Sequence, residues 1–182
     1  MIAVLAAARI GSLSLPASAE LLERVVAVVD GRVLCLSDVR AVERADGVPV
    51  DSALVRLIDE TLLFHEAFRL PQSAVSPAEE AAEIAATPAA DGDPALRRAL
   101  HRRAVIRKYV AFRFRPQVRV DEEAVRKAYA ELVVRGNAPA FEDAAPAIRE
   151  QLATQEVDRR VTDWVRELRL AATIRYNPPE PD

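Results

Sequence analysis

Two β-prone runs, Val25-Val26-Ala27-Val28-Val29 and Arg32-Val33-Leu34-Cys35-Leu36, flank the dipeptide Asp30-Gly31. A type I′ turn needs positive φ at both central positions, and Asp-Gly supplies them at low cost. Residues 25–36 are therefore predicted to form a β-hairpin. Neither run alternates apolar with polar residues, which predicts cover on both faces. A lone two-stranded hairpin is marginal in water and needs a helical layer or a third strand. Thr173-Ile174-Arg175-Tyr176 alternates, is β-prone and is stopped by Asn177-Pro178-Pro179. Pairing this segment with the hairpin ties the two ends of the chain together and makes everything between one helical excursion.

Composition agrees with that excursion. The chain has 182 residues but only five glycines, and is 51% hydrophobic and 29% charged. Ala, Leu, Arg and Glu favour helix, and this apolar content excludes wholesale disorder. A net charge of -3 argues against a dedicated nucleic-acid binder. The helices are well punctuated. Ser37-Asp38 is predicted to cap a short helix fading before Gly47-Val48-Pro49, and Asp51 to cap the next, which Pro71 ends. Ser76-Pro77-Ala78-Glu79 reads as a capping box with proline at the first helical position. Asp93-Pro94 starts a helix reaching about Arg115, and Asp121-Glu122-Glu123 places acid at the next N-terminus.

The last helix, about residues 141–172, carries a change of face. At about 100° per residue, Phe141, Ile148 and Leu152 lie on one side, and Val157, Val161, Trp164, Leu168 and Ala172 lie nearly opposite. The switch falls at Gln155-Glu156. A long helix is expected to pack first on the excursion and last on the hairpin. The predicted class is thus mostly α: a multi-helix domain over residues 20–176, with a small hairpin joined by a C-terminal strand and a tail at 177–182.

Residues 1–19 are set apart. Residues 2–8 are wholly apolar, and Pro16 precedes Ala17-Ser18-Ala19, the small-x-small pattern of a signal-peptidase site. An export signal is expected there, although Arg9 interrupts the apolar run and no basic residue precedes it. The charges leave the run short of a stable membrane anchor. Cys35 is the sole cysteine and is expected to be a small buried hydrophobe in a strand.

Enzyme motifs are missing from the sequence. His65 falls on the apolar face of its helix and is expected to be a packed core histidine. His101 lies among arginines, a poor place for a metal ligand, and neither has a partner at zinc spacing. Adjacent carboxylates such as Glu79-Glu80 diverge by about 100° on a helix and read as solvated surface. No catalytic residue, metal or cofactor is expected. Between Asp93 and Asp121 there is no acid, whereas Arg97, Arg98, Arg102, Arg103, Arg107, Lys108, Arg113, Arg115 and Arg119 are basic. These cations either form a basic surface for an anionic partner or are neutralised by acid-rich neighbours such as residues 121–123 and 142–158.

With these pieces in order, the chain resembles the SurA and parvulin-type chaperone family. Residues 25–39, VVAVVDGRVLCLSDV, resemble its opening hairpin, and residues 54–67, LVRLIDETLLFHEA, its signature second helix. Residues 112–132 resemble the segment leading into the isomerase insert, and residues 148–176 the closing helix and strand. Only about residues 133–140 intervene where that family carries a parvulin domain, and no paired active-site histidines are present. The resemblance implies a non-catalytic periplasmic holdase for unfolded or outer-membrane polypeptides, with self-association possible. Leu63, Phe64, Phe112, Phe114 and Tyr129 are the candidate peptide-binding residues. The alternatives are a prolyl-isomerase-related protein with residual or partner-dependent isomerase activity, or an envelope scaffold subunit that uses its basic helix.

Overall fold

The computed structural model describes residues 23–136 and 139–177. The expected export signal and the end of the tail lie outside them. Strands β1 (Val25–Val29) and β2 (Arg32–Cys35) form the hairpin, with Asp30 at φ 47° and Gly31 at φ 80°. Both values are those a type I′ turn demands. Helices α1 (Leu36–Asp46), α2 (Val50–Phe68), α3 (Pro77–Ala85), α4 (Pro94–Arg113), α5 (Glu122–Val134) and α6 (Phe141–Ala171) follow, before β3 (Ile174–Tyr176).

The sheet runs β2-β1-β3, antiparallel throughout, so the C-terminal strand completes it. Side-chain and backbone bonds fix β3 at both ends. The Asp30 N–H donates to the Thr173 carbonyl at 3.0 Å, and the Thr173 N–H returns a bond to Asp30 Oδ1 at 2.7 Å. At the other end, the Asn177 N–H donates to the Val26 carbonyl and its Nδ2 to the Val25 carbonyl. The chain ends are thereby joined.

Cover on the sheet is uneven. Val26, Ala27, Val29 and Leu34 are buried against Val39, Val42, Leu57, Ile58 and Leu62, with Leu168, Ala172 and Ile174 closing the cluster. Val33, however, is 54% exposed and Cys35 is half-buried. The expectation that both faces of both strands are covered fails for β2, an edge strand with one face on the helices. Burial still raises the Cys35 thiol above its ordinary value.

The caps show which start signals act. Ser76 accepts from the Glu79 N–H while Glu79 accepts from the Ser76 N–H, completing the capping box. Asp93 Oδ1 accepts from the N–H groups of Ala95 and Leu96, both at 3.0 Å, and Asp121 caps α5. Two expected caps do not form. Helix α1 begins at Leu36 with Cys35 as its N-cap, because the Ser37 hydroxyl and N–H donate to Glu23 instead. Pro49 is the N-cap of α2, since its restricted φ already sets the turn, and Asp51 sits in the first turn.

Helix α6 is continuous through Pro146, and its two faces go to different neighbours. Ile148, Ala144 and Ala145 pack with Val125 of α5, and Tyr129 and Phe141 meet edge-on at 5.2 Å. Nine residues after Ile148, about half a turn around the helix, Val157 is buried on the opposite side. Trp164 then joins Tyr109 and Phe114 of the α4 region, and Leu168 reaches the hairpin cluster. The change of face at Gln155-Glu156 is what lets one continuous helix bridge the excursion and the sheet.

Candidate functional site

Because α6 leaves α5 before it docks on α2, a space opens between α2, α4 and the middle of α6. This cleft has a volume of 880 Å³. Its floor is aliphatic. Ile106 and Val110, one turn apart on α4, face Val157 and Val161, one turn apart on α6, with Leu63 of α2 at the base. Ala111 and Thr154 are exposed at its mouth.

Charged side chains form the rim, and most are paired. Arg103 is the centre of a network joining α1, α2 and α4. Its Nε donates to Glu60 Oε1 at 2.7 Å, and its Nη1 and Nη2 donate to the two oxygens of Asp46 at 2.8 and 2.9 Å. Arg56 also donates to Asp46, and Arg102 to Glu60 at 2.9 Å. Burial opposes ionisation of Asp46, but the Arg103 and Arg56 hydrogen bonds outweigh it and hold the carboxyl below its ordinary range. Arg115 reaches across to Glu150 of α6, and Arg169 of α6 clasps Asp59 of α2. Asp158 forms no ion pair among the described residues. An aliphatic floor inside a largely paired rim suits an extended apolar segment and makes little demand on its charge.

The basic stretch is largely neutralised, by partners other than those expected. Arg97 pairs with Asp91, Arg98 with Asp38, Arg102 and Arg103 with Glu60, Arg107 with Glu83 and Lys108 with Glu79. Among the described residues, Glu150 is the one member of the acid-rich segments expected to supply the counter-charge that does so, to Arg115. Helix α4 lies against α1, α2 and α3, and their carboxylates reach it first.

The five candidate peptide-binding residues are dispersed. Leu63 is buried at the base of the cleft. Phe64 meets Phe68 at a tilt and His101 edge-on, on another face of α2, and Phe112 projects into solvent. Phe114 packs on Tyr109 and Trp164, and Tyr129 belongs to the α5–α6 contact, donating its hydroxyl to the Pro139 carbonyl. Ile106, Val110, Val157 and Val161 are the lining residues that choosing aromatics missed. Their signal was the i, i+4 aliphatic spacing, which the face analysis of α6 already contained for Val157 and Val161.

His65 is half-buried rather than a core residue, with its Nδ1 hydrogen-bonded to Arg32 Nη1. Among the described residues no group of three or more His, Cys, Asp or Glu side chains could hold a metal ion. No helix among them is long and apolar enough to cross a membrane. No protein-family model matches the chain, and a search of the curated proteins returns no match.

Proposed function

We propose that the protein is a non-catalytic periplasmic holdase of the SurA type, binding unfolded outer-membrane polypeptides along the α2–α4–α6 cleft. The observation that carries this is the cleft itself: an open, aliphatic-floored channel of 880 Å³ most of whose rim charges are already paired. Such a surface holds an extended apolar segment by burial of area rather than by directional bonds, which suits clients of varied sequence. The resemblance of residues 25–39, 54–67 and 148–176 to that chaperone family supports the same reading, and the small-x-small site at Ala17-Ser18-Ala19 supports export. The basic stretch gives little support to an anionic-surface scaffold, because most of its cations already have carboxylate partners.

The test is aggregation of a purified, urea-unfolded β-barrel protein on dilution, followed by light scattering without ATP. The protein is expected to suppress scattering in proportion to its concentration. Ala111→Glu sets a carboxylate over the aliphatic floor from an exposed helical position, and is expected to remove most of the protection without changing the far-UV spectrum. Absence of protection by the wild-type protein sinks the proposal.

A further inference from the structure

We propose that a second cavity, between the outer edge of β2 and α4, captures the C-terminal carboxylate of an extended peptide ending in an apolar residue. This cavity has a volume of 520 Å³ and lies apart from the α2–α4–α6 cleft. Three consecutive residues of β2, Arg32, Val33 and Leu34, line it. Successive side chains of a strand point to opposite faces, so a cavity touching all three reaches the strand's edge. That edge is free: among the described residues β2 pairs only with β1. A free edge presents backbone donors and acceptors to an incoming strand, the recognition mode of β-augmentation.

One cation is left for a chain end. Of the four guanidinium groups that line the cavity, Arg97 pairs with Asp91, Arg98 with Asp38 and Arg102 with Glu60. Arg32 has no carboxylate partner among the described residues; its bond is to the His65 ring. Two nitrogens of the same wall, His101 Nδ1 and Arg102 Nη2, are shut off from solvent without a hydrogen-bond partner. The His101 atom stands 3.5 Å from Glu80 without hydrogen-bonding geometry. Buried polar nitrogens are rarely left unpaired, and an acceptor seated beside this wall would relieve the Arg102 donor. Leu34, Leu57 and Phe64 supply an apolar pocket for the last side chain. A carboxylate joined to an apolar group and preceded by extended backbone satisfies all three features together. A free fatty acid offers the first two only.

Fluorescence anisotropy of the full chain with a short N-terminally labelled peptide ending in leucine tests this. The free acid is expected to bind about tenfold or more tighter than the C-terminal amide, since the amide loses the charge-assisted bonds. Arg32→Gln, a change at an exposed position, is expected to abolish that preference with an unchanged far-UV spectrum. Ala111→Glu is expected to leave it intact, so this site and the holdase cleft fail independently. Equal binding of acid and amide overturns the proposal, as does a preference that survives in Arg32→Gln. Dodecanoate competing as well as unlabelled peptide assigns the cavity to a free fatty acid and overturns it too.

Discussion

Replacing Arg103 by methionine isolates the ion network that joins α1, α2 and α4. Methionine keeps an unbranched stem of similar reach, so the packing of α4 is largely retained while three charge-assisted hydrogen bonds to Asp46 and Glu60 disappear. Both carboxylates are well shielded, with side-chain exposures of 15% and 16%, and Arg103 itself is 26% exposed. Removing one partner of a fully buried pair costs about 3–5 kcal/mol. Here Asp46 keeps Arg56 and Glu60 keeps Arg102, so neither carboxylate is abandoned. A loss of about 2–3 kcal/mol follows, between that of a buried pair and that of a surface pair. For a chain of this length it lowers Tm by about 4–12 °C.

The pH dependence carries the sign. Asp46 titrates below its ordinary value of 3.8 when folded, so its contribution is present above that value and lost as pH falls through the folded pKa. The gap between wild type and Arg103→Met should therefore be constant from neutral pH to about 4.5 and close below it. Urea unfolding followed by circular dichroism at a series of pH values measures this. The exposed Arg159, paired with Glu156 and Asp163 on the outer face of α6, is the control, and Arg159→Met should cause no measurable loss. Equal effects of the two substitutions, or a gap that persists unchanged into acid, would refute the assignment of Arg103 as the organising cation.

Gly31→Ala meets no neighbouring atom but must hold φ at +80°, so it should cost about 1–2 kcal/mol in a urea titration through backbone strain alone. Trp164 is the sole tryptophan and stacks on Tyr109 at 5.4 Å and an interplanar angle of 18°, with Phe114 at 5.5 Å. Trp164→Leu should destabilise by about 1–3 kcal/mol, from two aromatic contacts. In the wild type, tryptophan fluorescence should report the same unfolding midpoint as circular dichroism; separate midpoints would mean that α6 docks independently of the rest.

Where the information is local, the sequence discloses the fold. Asp30-Gly31 sets the turn, Ser76 and Glu79 set the capping box, and the half-turn offset between Ile148 and Val157 sets the two contacts of α6. Pairing of the C-terminal strand was legible because a hairpin alone cannot cover itself. What resisted reading depends on which helices meet. Nothing in the run from Arg97 to Arg115 says that Asp38, Asp46 and Glu60 will face it, since that follows from α4 lying across α1 and α2. The same holds for the aromatics. Phe112 and Phe114 are two residues apart on one segment, yet one is solvent-exposed and the other packed on Trp164. The cleft was the least legible feature, because it is a gap left by the path of α6 and its walls come from three helices.

The holdase proposal rests on the cleft being where a client lies, and crosslinking tests that contact directly. A photoreactive benzophenone side chain is introduced at Ala111, in the mouth of the cleft, and in a separate variant at Ala81, exposed on α3 and outside the cleft. Each variant is irradiated with a purified unfolded β-barrel protein, and adducts are mapped by mass spectrometry. Adducts from position 111, with few from position 81, are the predicted result. Equal yields from both positions, or adducts from position 81 alone, would contradict it.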